Sequence, residues 1–137
     1  MGNFGKCEQV VNDREIVLKE NHSRLKFINA SKADVRKIKV DDCLPIKGKK
    51  CDWLIITSGD VEHFVELKGN DVNHAVKQLE NTMKNISTDY KKRKKHCFIA
   101  CTRSPKTSTE IQCLKVLFKR KYNSNLYVKS RESEYTL

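Results

Sequence analysis

Two apolar runs, Cys51 to Thr57 and Val61 to Lys68, are separated only by Ser58-Gly59-Asp60, and no other feature restricts the fold as tightly. Both runs have strand length and strand composition, and a short glycine-containing connector between them is a hairpin loop. With all three connector residues in the loop, Thr57 faces Val61, Ile55 faces His63 and Trp53 faces Val65. The same count on the other face sets Asp52 opposite Glu66, with Lys68 two residues on and on the same side. Opposed residues of an antiparallel pair have Cβ atoms roughly 4.5 to 5.5 Å apart. Two carboxylates and an ammonium therefore converge at one end of the hairpin. A two-residue Ser58-Gly59 turn is the rival register, and it would move Asp52 off this face.

A third segment of strand character, Ile38 to Ile46, precedes the hairpin across Lys47-Gly48-Lys49, so residues 38–68 read as an antiparallel three-stranded meander. Downstream the periodicity changes. Val72, Ala75, Val76, Leu79, Met83 and Ile86 recur at helical spacing, predicting a helix from Asp71 to about Thr88 with Asn70 or Asp71 as its cap. An apolar strand from His96 to Thr102 follows, then a helix capped by Thr107 or Ser108 and reaching about Tyr122, then a short strand at Leu126 to Val128. Upstream, Val10, Val11, Ile16, Val17 and Leu18 are spaced as in a helix over Cys7 to Glu20. Asn21 to Lys37 is mixed, with strand character at Leu25 to Ile28 and a helical turn at Ser31. These elements predict an α/β fold with a central mixed sheet flanked by helices, in which the strands after the meander pair parallel. The 137 residues suit a single domain: a core over about residues 8–102, a helix and strand added at 107–129, and a polar tail at 130–137.

Lys and Arg number 28 against 17 Asp and Glu, a net charge of +11. Such an excess calls for a polyanionic partner, nucleic acid first and a membrane surface second, because each neutralised phosphate releases condensed counterions. No apolar stretch approaches the roughly 20 residues of a membrane span, and the first residues lack a signal-peptide core, so a cytoplasmic protein is expected. The six cysteines (Cys7, Cys43, Cys51, Cys97, Cys101, Cys113) form no CxxC pair, and their placement reads as small hydrophobes kept reduced. A zinc site would need closer paired spacings than His96, Cys97 and Cys101 offer.

Like charges opposed in a sheet are destabilising, so Asp52 facing Glu66 needs compensation. A hard divalent cation, Mg²⁺ or Mn²⁺, supplies it, since such ions are held by one or two carboxylates together with water and substrate phosphates. Asp52, thirteen intervening residues and then Glu66-Leu67-Lys68 resemble the signature of the PD-(D/E)XK nuclease superfamily, which includes restriction endonucleases and Holliday junction resolvases. The order of helix, meander, helix and strand is similar as well, over roughly Glu8 to Thr102.

The resemblance implies a restriction-endonuclease-like core in which Asp52 and Glu66 bind metal, the Leu67 carbonyl adds a ligand and Lys68 is the catalytic lysine. Gln78, in the following helix, stands where several branches carry a glutamine facing the active site, with His74 one turn before it. Many members add a glutamate from the first helix. Glu8, Glu15 and Glu20 are candidates, and Glu15, seven residues from Glu8 on one helical face, is preferred. Two departures are visible: Cys51 precedes Asp52 where proline is common, and Thr82 stands where one exonuclease branch has tyrosine. The expected function is a metal-dependent nuclease acting on nucleic acid, DNA before RNA, with an endonuclease first; a homodimer would let two sites cut two strands. The alternative is a non-catalytic basic nucleic-acid-binding module or subunit. Lys49 and Lys50, beside the carboxylates with Lys47, and the run Lys91, Lys92, Arg93, Lys94, Lys95 are the candidate phosphate contacts. Trp53 is read as core, because its strand face otherwise carries Ile55, Val65 and Leu67.

Overall fold

The computed structural model describes residues 4–20, 22–67, 71–101 and 107–137. Among them, a single 3-10 turn at Gly5–Cys7 precedes nine strands and two helices: β1 (Glu8–Val11), β2 (Glu15–Glu20), β3 (Ser23–Ile28), β4 (Val35–Lys39), β5 (Trp53–Thr57), β6 (Val61–Glu66), α1 (Val72–Ile86), β7 (Lys95–Cys101), α2 (Ser108–Tyr122), β8 (Ser124–Ser130) and β9 (Glu132–Thr136). Six strands form one mixed sheet in the order β1-β4-β5-β6-β7-β8, and β2-β3-β9 form a second. The meander β4-β5-β6 is antiparallel, while β6, β7 and β8 are parallel neighbours. The protein is a mixed α/β fold. No helix among the described residues is long and apolar enough to cross a membrane.

The parallel strands explain where the helices lie. Each step from β6 to β7 and from β7 to β8 needs a crossover, supplied by α1 and α2, and two crossovers of one hand stepping the same way put both helices on one face. There, Leu54, Ile56, Phe64, Cys97 and Ile99 of the sheet pack with Val72, Ala75, Leu79 and Met83 of α1 and Phe118 and Tyr122 of α2. The opposite face carries Val35, Ile55, Val65, Phe98 and Ala100, and it is covered by Ile16, Leu18, Leu25 and Phe27 of the small sheet. The sheet is thus flanked by helices on one side and by a second sheet on the other.

That second sheet corrects the expectation of an N-terminal helix over Cys7 to Glu20. Its burial alternates with the period of a strand: Ile16 and Leu18 point inward in β2, as do Leu25 and Phe27 in β3. The run is rich in β-branched residues, and Asn12-Asp13 interrupts it. The helical turn expected at Ser31 is a simple turn before β4. The polar tail also proves to be structure, because β9 pairs parallel with β3. Its anchor is Tyr135, which packs edge-on against Phe27 and Phe98. The segment from Ile38 to Ile46 does not stay extended: β4 ends at Lys39, Asp42 adopts a left-handed φ of 62°, and Leu44 and Ile46 turn into the helix-side core.

The helices follow their sequence signals. Asp71 caps α1 through the amides of Asn73 and His74, and α2 begins with a capping box between Thr107 and Glu110. The cysteines are a partial correction. Cys51, Cys97 and Cys101 are buried thiols and burial raises their pKa, that of Cys97 to about 12. Cys7 and Cys43, however, form a disulfide. The antiparallel pairing of β1 with β4 brings the chain before β1 beside the turn after β4, a proximity that sequence spacing does not reveal.

His63 lies in β6 on the small-sheet side, against Phe27 and stacked 5.0 Å from His96. Burial, helped by His96, pushes its pKa from 6.5 down to about 4. The unfolded chain takes up a proton near pH 6.5 that the folded chain excludes until about pH 4. Stability from this group is therefore complete above about pH 6.5 and lost as the pH falls toward 4, by up to about 3 kcal/mol. Urea unfolding between pH 4 and 8 is expected to show this loss, and His63→Leu is expected to flatten it.

Candidate metal and phosphate site

The β5–β6 ladder has the register of the three-residue loop: Thr57 pairs with Val61, Ile55 with His63 and Trp53 with Val65. Gly59 and Asp60 take left-handed φ values of 77° and 58°, which glycine adopts freely and aspartate tolerates. At the other end the regular pairing stops at Trp53 and Val65, and Asp52 N–H donates to the same Val65 carbonyl at 3.0 Å, one residue off the Asp52–Glu66 register. The Asp52 side chain crosses back, its Oδ2 accepting from Leu67 N–H at 2.7 Å. Asp52 and Glu66 are 2% and 1% exposed, so both carboxylates are held inside the protein. The Cys51 thiol beside them feels both charges, which add to the burial that raises its pKa. Lys68 lies outside the described residues.

Among the described residues, no group of three or more His, Cys, Asp or Glu side chains is placed to hold a metal ion. Two carboxylates alone suit Mg²⁺, which keeps several waters and shares substrate oxygens, and do not suit a closed structural zinc site. Leu67 is fully buried on the small-sheet side while its N–H fixes Asp52.

Helix α1 fixes the chain that delivers Asp52. Gln78 Nε2 donates to the Lys50 carbonyl at 3.3 Å, and Thr82 Oγ1 accepts from Cys51 N–H at 2.9 Å while donating to the Gln78 carbonyl at 2.7 Å. Asn81 Nδ2 donates to the carbonyls of Lys47, at 3.1 Å, and Lys49. Gln78 thus acts on the backbone two residues before Asp52. Thr82, noted in the sequence only as a departure from one branch's tyrosine, holds the backbone before Asp52, and a threonine at a buried position of an otherwise apolar stripe is a legible signal of such a role; Asn81 carried no such signal. His74 is exposed.

The glutamates separate. Glu15 is exposed at the start of β2 and pairs with Lys26 at 3.5 Å. It lies on a strand, beside Ile28 at the end of β3 that leads to Asn29, and not on a helix facing Asp52. Glu8 forms a two-point ion pair with Arg36, both bonds 2.7 Å, and that hydrogen bonding holds its carboxyl below the usual range. Glu20 meets Lys39 at 3.5 Å, and Lys39 is the register partner of Trp53. Glu8 lies toward the same end, opposite Ile38, the register partner of Leu54, but its carboxylate is committed to Arg36. Asp41 N–H reaches the Asp52 carbonyl at 3.3 Å. Trp53 is half-buried, with the ammoniums of Lys37 and Lys39 5.0 and 4.8 Å from its ring centre.

The basic run sits at the far end of the hairpin. Arg93 binds Asp60 of the connecting loop at 3.3 Å, and that loop is separated from Asp52 by the length of β5, about 17 Å at the usual rise per residue. Lys91, Lys92 and Lys94 are exposed there. Lys95 is not available to a phosphate: it is fully buried, and its ammonium donates to the carbonyls of Tyr90 at 2.8 Å, Tyr122 at 2.7 Å and Arg93. The apolar strand that it opens draws it into the sheet, where it pairs in register with the buried Glu62. Lys95→Met would strand three carbonyls, that of Tyr122 buried, and leave the buried Glu62 without its cationic neighbour, and it is expected to cost about 2 to 4 kcal/mol by urea denaturation. Lys92→Ala, at an exposed position, is expected to cost less than about 0.5 kcal/mol.

Comparison with family models, curated proteins and solved structures finds no match to this chain.

Proposed function

We propose that the protein is a metal-dependent nuclease of the PD-(D/E)XK kind, with a restriction-endonuclease-like core, that hydrolyses phosphodiester bonds, most readily in DNA. The observation that carries this reading is the pair of buried carboxylates, Asp52 and Glu66, at the same end of the β5–β6 hairpin and both acting on the Cys51 thiol, in a chain of net charge +11. A surface that only bound phosphates would gain nothing from buried acids at its centre. Bound Mg²⁺ or Mn²⁺ would supply Lewis-acid stabilisation of the phosphate and a more acidic water. Asp52 and Glu66 would hold the ion, with the Leu67 carbonyl as a further oxygen donor. Leu67 N–H keeps the Asp52 carboxylate in place, and by the resemblance Lys68 would orient the attacking water and stabilise charge on the phosphate oxygens. Water attacks phosphorus in line, the opposite P–O bond breaks, and its electron pair leaves with the sugar oxygen, which is then protonated. Gln78 and Thr82 act through the chain that carries Asp52.

Titrating Mg²⁺ and Mn²⁺ into a cleavage assay on duplex, single-stranded and junction DNA and on RNA tests the reading. Wild type is expected to cut, and Asp52→Ala, Glu66→Gln and Lys68→Ala are each expected to cut about a hundredfold or more slowly. Nucleic-acid binding by Asp52→Ala is expected to persist or strengthen, since a charge that repels phosphate is removed. A wild type that binds nucleic acid and cuts none of these forms with either ion would leave the non-catalytic binding module as the function.

A further inference from the structure

Between Ile46 and Cys51, both anchored in the helix-side core, the chain makes a short loop of sequence Lys47-Gly48-Lys49-Lys50. Its carbonyls turn inward. The Ile46 oxygen accepts from Lys50 Nζ at 3.3 Å, the Lys47 and Lys49 oxygens accept from Asn81 Nδ2, and the Lys50 oxygen accepts from Gln78 Nε2. One amide group thus brackets Gly48, whose φ of 83° is a left-handed turn favouring glycine. A Cβ built there would stand 3.6 Å from Asn81 Nδ2. The Asn81 amide is itself oriented, because Asn85 Nδ2 donates to its Oδ1 at 3.3 Å. With the partial negative charges of the loop directed at α1 and the Lys50 ammonium folded back, the side chains of Lys47 and Lys49 are exposed five and three residues before Asp52.

We propose that Lys47 and Lys49 form a preorganised phosphate-binding loop for the DNA backbone entering the Asp52 and Glu66 site, and that Asn81 is the residue that positions it. The assignment rests on the nuclease reading for its place beside the scissile bond. Its electrostatics do not, because ammoniums on a rigid loop bind phosphate with less ordering cost than the same ammoniums on a mobile one. It replaces Lys50 by Lys47 as a phosphate contact, since Lys50 is engaged within the loop.

The test is fluorescence anisotropy of a short fluorescein-labelled DNA duplex in Ca²⁺ buffer, titrated with each variant across a KCl series. Lys47→Ala/Lys49→Ala is expected to reduce the slope of log K against log salt by about 2. Asn81→Ala is expected to weaken binding several-fold, reduce the slope by about 1 and have no further effect in the double-lysine background, because it acts through those lysines. Asn81→Ser serves if the alanine variant does not fold. An unchanged slope in the double-lysine variant, or no binding of the duplex by wild type, overturns the loop. An Asn81→Ala effect that persists in full without the lysines overturns its positioning role. Cleavage with unaltered salt slopes would refute the loop and keep the nuclease, whereas the expected slopes without cleavage would do the reverse.

Discussion

The register of the β5–β6 ladder is the constraint on which the remainder depends. Side chains alternate strictly across a strand, so a one-residue slip would carry Asp52 to the small-sheet face and bring a lysine-rich loop with it. The loop at Ser58-Gly59-Asp60 prevents that slip by placing its left-handed residues at Gly59 and Asp60, and Arg93 ties the loop down from the turn between α1 and β7. With the ladder set, Leu54, Ile56 and Phe64 form the floor for α1, while Ile55 and Val65 form the floor for the small sheet. Cys51, next to Asp52, falls on the helix side, where Thr82 of α1 holds its N–H.

Polar groups at the two ends of this helix-side layer differ in kind. At the far end, Lys95 is satisfied by three carbonyls, and Glu62 accepts from Ser87 at the C-terminus of α1 at 2.6 Å. Burial raises the Glu62 pKa while the Lys95 charge opposes that rise. This end is closed and structural. At the near end, α1 spends its side-chain amides and a threonine hydroxyl on the backbone of the loop before Asp52, so the helix acts as a jig for the acidic pair and for the lysines beside it. The same helix therefore joins a stabilising cluster to the candidate site, and its apolar stripe from Val72 to Met83 keeps the two at a fixed separation.

Legibility in the sequence followed the range of the interaction that decides each feature. The meander, both helices, the caps at Asp71 and Thr107 and the β5–β6 register rest on residues close together in the chain, and they were legible there. The N-terminal strands were not. Their apolar spacing fits either period over so short a run, and the choice was made by β3, which offers Leu25 and Phe27 across from Ile16 and Leu18. The strand at 132–136 was hidden because Tyr135 alone supplies its apolar anchor and its partner lies more than a hundred residues earlier. The burial of Lys95 was concealed for a related reason: a run of five basic residues reads as solvated, and only the start of β7 separates its last member from the others.

By itself the sequence determined the register of the β5–β6 hairpin, and with it that Asp52 and Glu66 stand at one end of that hairpin within a strongly basic chain, because hairpin loop length and strand alternation are local geometry. Only the tertiary structure decided which bases surround them. It placed Lys47 and Lys49 on a loop held by Asn81, moved the run 91–94 to the opposite end of β5, and drew Lys95 into the core. It also placed both helices on one face and a second sheet on the other, since crossover handedness and the need to cover an apolar sheet act on the whole chain rather than on any segment.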